Sequence, residues 1–264
     1  MSFLLAGLLP AGECIGLEWQ GEAETVNNEP QTLQKKEAGE AAARLVESGM
    51  VIGLGHGSTA IWALRLIAER LQQGVLRDIR AVPCSSQVAQ DARQAGIALT
   101  DFNDIPAIDL TIDGADEVDP HGNLIKGAGG ALLREKIVAQ ASSREIIVVD
   151  GAKLVRQLGA RCRLPVEIVP FGLASQLRYL EGLGAEVLLR RTAGGGLFRT
   201  DQGNVLADCR FGPLAEPERL AEALQQRAGL AGHGLFLGLV TDLLVADGGG
   251  VHHHKVRRPQ DKQS

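Results

Sequence analysis

A short apolar run that ends in glycines and leads into an amphipathic helix pattern is the feature that most constrains the fold of this sequence. The run MVIGLG (Met50–Gly55) has the length and composition of a buried strand, and apolar residues recur at helical spacing in the following segment STAIWALRLIAERLQQG. A strand, a glycine loop and a helix in this order form the repeating unit of parallel sheets. The segment therefore predicts an α/β protein.

The same alternation continues as far as Asp150. A helix is predicted to begin at Thr32, before the first strand, with Gly49 placed to end it. The later predicted strands are Ile79–Pro83, Asp109–Asp113 and Glu145–Asp150, and the predicted helices are Gln87–Ala95 and Ala131–Ala141. We expect these elements to form a Rossmann-like domain, a parallel sheet flanked by helices.

The pattern changes after Asp150, because predicted strands now follow one another. The predicted order is strand Val166–Val169, helix Ala174–Leu183, strands Val187–Arg191, Leu197–Thr200 and Val205–Cys209, and helix Pro217–Arg227. This β-α-β-β-β-α order predicts a smaller α+β domain of ferredoxin-like type with an antiparallel sheet. The last apolar stretches, Leu235–Leu239 and Asp242–Ala246, are expected to return to the first sheet.

These patterns predict how the chain divides into domains. Residues 31–158 and 233–255 are assigned to the Rossmann-like catalytic domain, and residues 159–232 to the small α+β domain inserted into it. Residues 1–30 are predicted to be a disordered extension and residues 256–264 a flexible tail. The apolar start MSFLLAGLLP has no preceding basic residue and no clear cleavage site, which argues against a signal peptide.

Composition and charge restrict the class of partner. The chain has 264 residues, of which 45% are hydrophobic, and a formal net charge of -5, which excludes disorder over most of its length and argues against nucleic acid. No apolar run reaches the roughly 18 residues that a membrane helix needs. The four cysteines are widely spaced, and the three histidines from His252 onward are interpreted as a solvated terminus, so no disulfide framework or metal site is expected. A reducing cytoplasm is the expected location.

The loop GLGHGSTA (Gly53–Ala60) lies between a predicted strand and a predicted helix. Its backbone amides and the hydroxyls of Ser58 and Thr59 can converge on an anion at the positive end of the helix dipole. A tight turn without a ligand produces the same pattern, and the loop is neither a Walker A motif nor a complete GxGxxG. The loop alone therefore leaves both a phosphate site and a tight turn open.

The segment DGADEVD (Asp113–Asp119) places four carboxylates at the carboxyl end of a predicted strand, where open α/β sheets bind their ligands. Such acids suit general acid–base catalysis or magnesium binding, and a solvated acidic turn has the same composition. A calcium loop is disfavoured, because the DxDxDG register and its distant glutamate are missing.

The segment KGAGGALLREK (Lys126–Lys136) joins a lysine, a glycine loop and a helix that carries Glu135. The loop amides can stabilise an oxyanion while Glu135 faces the same site, as proton abstraction next to a carbonyl requires. The same charges can also form the solvated face of an amphipathic helix. The joint occurrence of the three segments at successive strand ends favours the catalytic interpretation.

Six segments together resemble the ribose-5-phosphate isomerase type A family: GLGHGSTA, DLTIDGADEVD, KGAGGALLREKIV, DGAKLVRQLG, LPVEIVPFG and TDQGNVLADC. The resemblance extends from about Gln34 to Val251. It implies interconversion of ribose 5-phosphate and ribulose 5-phosphate through an enediolate, in the non-oxidative pentose phosphate pathway. It also implies a homodimer or homotetramer, with no metal and no cofactor.

The resemblance also assigns roles to the matching residues. Glu135 matches the catalytic base, Asp113 an acid that assists ring opening, and Asp116 a residue that contacts the sugar hydroxyls. Lys126 and the amides that follow it match the loop expected to hold the carbonyl oxygen as charge develops. The substrate-contacting set is Lys35, His56, Gly57, Ser58, Thr59, Asp113, Gly114, Ala115, Asp116, Lys126, Gly127, Ala128, Gly129 and Lys153, of which Lys35, Ser58, Thr59 and Lys153 fall at substrate or phosphate positions.

Two positions depart from the family pattern. His56 stands where the family usually has threonine, and Ala128 where it usually has glycine. The imidazole has two opposite possible effects, an additional donor to phosphate or an obstruction to the sugar. Ala128 is predicted to have a negative φ, because a residue with a Cβ is strained at positive φ.

Three other functions stay open at this point. A sugar-phosphate-binding regulator would share the fold, but residues 1–30 are too short and acidic for a DNA-reading helix-turn-helix module. A CoA transferase would use Glu135 as its nucleophile, which leaves Asp113, Asp116 and Lys126 without a clear task. An isomerase that has lost its activity is the third, motivated by the two departures from the family pattern.

Overall fold

The structure, a computed structural model, describes residues 28–105 and 107–256. Cys14, most of the predicted N-terminal extension and the predicted tail after Val256 lie outside these ranges. The helices of the described part are α1 (Asn28–Ala43), α2 (Ala60–Gln72), α3 (Ser86–Gln94), α4 (Leu132–Gln140), α5 (Leu173–Gly182) and α6 (Pro217–Gln226). The strands are β1 (Val51–Leu54), β2 (Arg80–Pro83), β3 (Ile108–Asp113), β4 (Glu117–Val118), β5 (Leu124–Ile125), β6 (Ser142–Asp150), β7 (Leu164–Ile168), β8 (Glu186–Leu189), β9 (Val205–Arg210), β10 (Leu230–His233), β11 (Leu235–Phe236), β12 (Asp242–Asp247) and β13 (Gly250–Lys255).

The largest sheet has six strands in the order β13-β12-β6-β3-β1-β2. All neighbours in it are parallel except β12 and β13. Ile52, Leu110 and Ile146 on its central strands are at most 1% exposed, and they belong to a core that also includes residues of α1 and α2. The predicted parallel sheet with flanking helices is confirmed, and its carboxyl edge is where the candidate site lies.

The second sheet has four antiparallel strands in the order β10-β7-β9-β8. With α5 and α6 it forms a β-α-β-β-α-β unit, the ferredoxin-like arrangement that the sequence predicted. The predicted strand Leu197–Thr200 is wrong, because this segment makes only isolated bridges, from Leu197 to Arg191 and from Arg199 to Val205. The strand β10, which the sequence pattern did not predict, completes the sheet instead.

A third sheet pairs β11, β5 and β4. The prediction that Leu235–Leu239 returns to the first sheet is wrong, because Leu235 and Phe236 pair with Ile125 and Leu124 of β5. The prediction for the next apolar stretch is confirmed, since β12 pairs in parallel with β6. Two apolar stretches of similar composition therefore join different sheets, and the pairing is decided by the β4–β5 hairpin.

Two further predictions, for the limits of the first helix and for the histidines near the C-terminus, differ from the structure. The first helix begins at Asn28, inside the predicted disordered extension and before the predicted start at Thr32, and it ends at Ala43 rather than at Gly49. The Arg70 side chain donates to the carbonyl oxygens of Ala43 (2.6 Å) and Val46 (3.2 Å) at and beyond that end. The histidines from His252 do not form a free terminus, because they lie in β13, paired antiparallel with β12, but His252 and His253 are exposed as predicted. No helix within the described ranges is long and apolar enough to cross a membrane.

Candidate active site

A cavity of about 260 Å³ lies where β1 and β3 end, at the carboxyl edge of the parallel sheet. Open α/β sheets bind their ligands at this edge. The lining residues are His56, Gly57, Ser58, Thr59, Gly114, Ala115, Asp116, Lys126, Gly127, Ala128, Gly129, Glu135 and Lys153. The structure thus brings the three sequence segments together around one space.

Asp113, the last residue of β3, lies against the end of β1 beneath this cavity. The two strands approach so closely that a Cβ on Gly55 would be 2.3 Å from Cγ of Asp113. The backbone amides of His56 and Gly114 donate to Oδ1 of Asp113, at 3.1 and 2.7 Å. The carboxylate is 1% exposed and is not among the residues that line the cavity.

Lys126 connects the two buried acids of the site. Its ammonium lies 3.0 Å from Oδ2 of Asp113 and 3.2 Å from Oε1 of Glu135. It also donates to the carbonyl oxygen of Gly114 at 2.5 Å. An ammonium group has three N–H bonds, so these three oxygens occupy its donors.

Burial and charge act in opposite directions on these groups. Burial raises the pKa of Glu135 to about 8, against the opposing charge of Lys126 and with a contribution from the like charge of Asp113. Burial also raises the pKa of Asp113, again against Lys126. For Lys126, burial by itself lowers the pKa, but the two carboxylates hold it above its ordinary value. The lysine is therefore a permanent cation, and Glu135 is an acid that ionises near neutral pH.

Only one oxygen of the Glu135 carboxylate is engaged. Oε1 accepts from Lys126, whereas Oε2 is buried and has no hydrogen-bond partner among the described residues. Glu135 lies in the first turn of α4, behind the glycine loop, and lines the cavity. A carboxyl group that lines a cavity, has a raised pKa and keeps one oxygen without a hydrogen bond can act as a general base.

The N-terminus of α2 forms another part of the cavity wall. Ser58 and Thr59 line the cavity there, and the side chain of Thr59, the N-cap residue, makes no capping hydrogen bond. Lys153 lines the cavity from a short 3-10 helix (Gly151–Lys153) after β6. A helix N-terminus, two hydroxyls and a lysine are groups that can hold a phosphate.

Lys35 lies outside the cavity lining, on α1. Lys35 follows Gln31 by one helical turn. The side-chain amide of Gln31 donates to Oδ2 of Asp150 at 3.3 Å, and Asp150 directly precedes the 3-10 helix that contains Lys153. The α1 face that carries Gln31 therefore approaches the Lys153 end of the site. Of the residues predicted from the resemblance, only Lys35 and Asp113 do not line the cavity.

The glycine loop after Lys126 is held by Asp116. Gly127 and Gly130 have φ of 109° and 83°, a region that favours glycine. Ala128 is not among the described residues with positive φ, which confirms the prediction for its backbone. Its backbone amide donates to Oδ2 of Asp116 at 2.9 Å, so this N–H is engaged within the protein.

His56 lies between the α2 loop and the glycine loop. Its Nδ1 is 3.1 Å from Oγ of Ser85, which also accepts from the amide of Val88 at the start of α3. On the other side of the ring, a Cβ on Gly129 would be 2.4 Å from Cδ2 of His56. The imidazole is thus packed against the glycine loop and lines the cavity.

Two residues near the site were not predicted. Ser85 contacts His56, and Arg190, which directly follows β8, donates to the carbonyl oxygens of Gly127 and Ala128. Neither residue lies in a recognisable motif, and both are far from their partners in sequence. No signal in the sequence could have identified them, since both depend on how the elements pack.

Comparison with known proteins gives a concordant result. A model of the family described as ribose 5-phosphate isomerase A (phosphoriboisomerase A) matches residues 80–250. The chain is 56% identical over 228 residues to ribose-5-phosphate isomerase A of Chloroflexus aurantiacus, covering 86% of this chain and 95% of the relative. It is 49% identical over 225 residues to the protein of the same name from Desulfatibacillum aliphaticivorans, covering 85% and 98%.

Solved structures agree with the sequence comparison. The ribose 5-phosphate isomerase from Plasmodium falciparum superimposes with a TM-score of 0.81 at 36% identity, covering 85% of this chain and 98% of that one. A D-ribose-5-phosphate isomerase solved in complex with phospho-erythronic acid superimposes with a TM-score of 0.82 at 34% identity, covering 84% and 98%.

Proposed function

The chain belongs to the ribose 5-phosphate isomerase A family, and we propose that it interconverts ribose 5-phosphate and ribulose 5-phosphate in the non-oxidative pentose phosphate pathway. The observation that carries the proposal is Glu135 at the wall of the cavity, whose buried Oε2 has no hydrogen-bond partner in the part of the chain that the structure describes. A base of this kind suits a reaction whose central step is proton transfer between adjacent carbons.

In the aldose-to-ketose direction, the substrate reacts as the open-chain aldehyde. Asp113 lies behind the cavity wall in contact with Lys126, and from there it is proposed to assist the opening of the furanose ring. Glu135 then takes the proton from C2, and the C–H electron pair forms the C1–C2 double bond while the carbonyl electrons move to O1. The proton on O2 passes to O1, and Glu135 returns its own proton to C1. The product carries a carbonyl at C2, with no net gain or loss of protons.

Charge on the enediolate oxygens needs positive groups nearby. Lys126 remains protonated beside the two acids, and it can exchange its 3.2 Å contact with Glu135 for a contact with the substrate oxygen. This exchange would leave both oxygens of Glu135 free when the proton is removed. Asp116, half-buried at the cavity wall, is proposed to accept from sugar hydroxyls.

The phosphate is proposed to bind at the start of α2. Ser58 and Thr59 supply hydroxyls and the helix supplies amides, while Lys153 supplies a positive charge at the wall. Lys35 is proposed to reach the same end from α1. This arrangement places the sugar towards Lys126 and Glu135, at the other wall of the cavity.

The reaction is tested by adding ribose 5-phosphate to the purified full chain after EDTA treatment and detecting ribulose 5-phosphate directly. Glu135→Gln replaces the base with an isosteric amide, and Glu181→Gln makes the same change on an exposed position of α5. We expect wild type and Glu181→Gln to be equally active after EDTA, and Glu135→Gln to lose about a thousandfold or more in kcat.

Other outcomes would overturn parts of the proposal. A folded wild type that binds ribose 5-phosphate without converting it would favour an inactive or sensing protein. Activity that EDTA abolishes and added metal restores would contradict metal-independent chemistry. Full activity in Glu135→Gln would remove Glu135 as the base.

We also propose that the protein works in the cytoplasm as a homodimer or homotetramer. The three described cysteines, Cys84, Cys162 and Cys209, are free thiols, which suits a reducing compartment. Phe171 is 91% exposed and Val169, two positions earlier, is 39% exposed, and the subunit interface is proposed to include them. Light scattering of the wild type and Phe171→Ser tests the oligomeric state, and a wild-type monomer would contradict it.

A further inference from the structure

We propose that Arg190, which directly follows β8 of the four-stranded sheet, is a positioning residue that turns the backbone N–H of Gly129 into the cavity as an oxyanion donor. The proposal rests on the proposed isomerase function and adds to it a role for residues 159–232, which we regard as a separate domain. Arg190 does not line the cavity, so it acts through the glycine loop rather than on the substrate.

Arg190 forms hydrogen bonds with the glycine loop after Lys126, on the side of the loop that faces away from the cavity. Its Nη1 donates to the carbonyl oxygen of Gly127 at 2.9 Å and to that of Ala128 at 3.0 Å. Two successive carbonyl groups of the loop therefore point towards one guanidinium nitrogen. In a trans peptide the N–H points away from the C=O, and the described residues contain no cis bond.

The N–H groups of the same two peptides must face away from Arg190. The first of them, the Ala128 N–H, does so, since it donates to the cavity-lining Asp116. The second is the Gly129 N–H, which has no hydrogen-bond partner among the described residues. Adjacent N–H groups on one side of a loop form a concave site for negative charge. The Gly129 N–H is thus the unused donor of this site.

The guanidinium is itself held in place. Asp208 of β9 accepts from Nε of Arg190 at 2.9 Å and also from Nη2. The guanidinium lies 5.8 Å from the ring centre of Phe198, and the same ring would be 2.5 Å from a Cβ on Gly130. Arg190 and Phe198 therefore both pack against the glycine loop.

Only arginine has the donors for this arrangement. A planar guanidinium can bind a carboxylate with two N–H groups and still direct others at two carbonyl oxygens. A lysine at the same position offers one compact ammonium and cannot hold both partners in a fixed geometry. Replacement by lysine should therefore keep the charge beside Asp208 and loosen the loop.

The test compares Arg190→Ala and Arg190→Lys with Arg163→Ala. Arg163 directly precedes β7 of the same sheet and pairs with Glu186 at 2.7 Å, but no contact joins it to the loop in the described structure. Loss of one oxyanion donor costs about 100- to 1,000-fold in kcat, and a misdirected donor should cost less, about 10- to 100-fold. We expect that fall in kcat for Arg190→Ala, with KM for ribose 5-phosphate changed less than about threefold.

Two further readouts separate positioning from general destabilisation. Added guanidinium ion should restore part of the kcat of Arg190→Ala and none in Glu135→Gln. Affinity for phospho-erythronic acid, whose carboxylate can accept from the Gly129 N–H, should fall in parallel with kcat. Arg163→Ala should match wild type in kcat, in its response to added guanidinium ion and in its affinity for phospho-erythronic acid.

The result that overturns the proposal is an unchanged kcat in a folded Arg190→Ala or, if that variant does not fold, in Arg190→Lys. A variant that loses kcat only in proportion to its folded fraction would also contradict it. An inactive wild type would instead reject the proposed function on which this inference rests, so the two failures are distinguishable.

Discussion

Oε1 of Glu135 lies 3.2 Å from Nζ of Lys126, while Oε2 of the same carboxylate has no hydrogen-bond partner among the described residues. One oxygen is held by the lysine ammonium, and the other is buried in the side chain of a residue that lines the cavity. Because the carboxylate is 4% exposed, burial raises its pKa to about 8 in spite of the lysine. The same residue is thus both held in place and basic.

The raised pKa of Glu135 predicts the pH dependence of the proposed reaction. A general base must be ionised, so kcat/KM should rise with pH until it levels off above about pH 8. Below this value each pH unit should lower kcat/KM about tenfold, because the ionised fraction falls by that factor. Initial rates from pH 6 to pH 10, with circular dichroism as a check on folding, measure the profile. A flat profile between pH 6 and pH 9 would contradict the prediction.

Lys126→Met should destabilise the protein by about 3–5 kcal/mol near pH 8, because it leaves two buried carboxylates without their cation. The pKa values of Asp113 and Glu135 would rise further, so the ionised forms would be disfavoured in the folded state. An acid whose pKa is higher in the folded state than in the unfolded state destabilises the fold once the pH exceeds its unfolded pKa. At lower pH the acid is protonated in both states, and this destabilisation disappears. The loss should therefore be much smaller at pH 5.5 than at pH 8.5.

Urea unfolding at both pH values measures this difference. Lys153→Met is the matched control, since Lys153 also lines the cavity but forms no ion pair with described residues. An equal loss of stability at the two pH values would argue that Lys126 acts through packing alone.

Gly55→Ala tests the close approach of β1 and β3. The added Cβ would lie 2.3 Å from Cγ and 2.5 Å from the Cα of Asp113, so backbone must move. We expect a destabilisation of about 1–3 kcal/mol and a large fall in kcat, because Asp113 and its contact with Lys126 are displaced.

Gly182→Ala provides the comparison for that substitution. Gly182 is the last residue of α5, has no positive φ, and has open space around the position of a Cβ. Alanine there should stabilise the protein by about 0.4–1 kcal/mol without changing kcat. Thermal unfolding and initial rates of both variants check the pair, and a neutral Gly55→Ala would show that the strands can separate at no cost.

Asp242→Asn should weaken the attachment of β13 to the sheet. Asp242 is buried and contacts Arg144 (3.0 Å), His253 (2.7 Å) and Lys255 (2.6 Å). Burial by itself raises the pKa of Asp242, but hydrogen bonds from Lys255, Arg144 and other groups hold it well below its ordinary value. Such an acid stabilises the fold above its unfolded pKa of about 4, and this stability is lost as the pH falls through the folded pKa.

The asparagine variant should therefore be about 1–3 kcal/mol less stable at pH 7, and the difference should shrink as the pH falls below 4. Asp247→Asn, which breaks the half-exposed pair with His252, is the control and should change stability by less than about 1 kcal/mol. Unfolding curves from pH 2 to pH 7 measure both. A constant difference across this range would contradict the role of the charge.

Much of the site could be predicted because the ends of neighbouring parallel strands meet at one edge of a sheet. Each of the three segments lies just after a strand or before a helix, so Ser58, Asp116 and Glu135 could be placed together from local pattern and motif alone. The same local signals predicted the parallel sheet and the ferredoxin-like unit. These features depend on the period of apolar residues and on turn-forming glycines, which are properties of short stretches of sequence.

Tertiary structure alone decided which distant groups touch. Lys126 contacts two acids from separate elements, and Arg190 donates to the glycine loop from a distant part of the chain. Whether Oε2 of Glu135 finds a partner is decided in the same way, by the elements that pack around it. The pairing of Leu235 with β5 is of the same kind. Hydrophobic periodicity states which face of an element is buried but not what covers it, because the partner is selected by the packing of the whole chain.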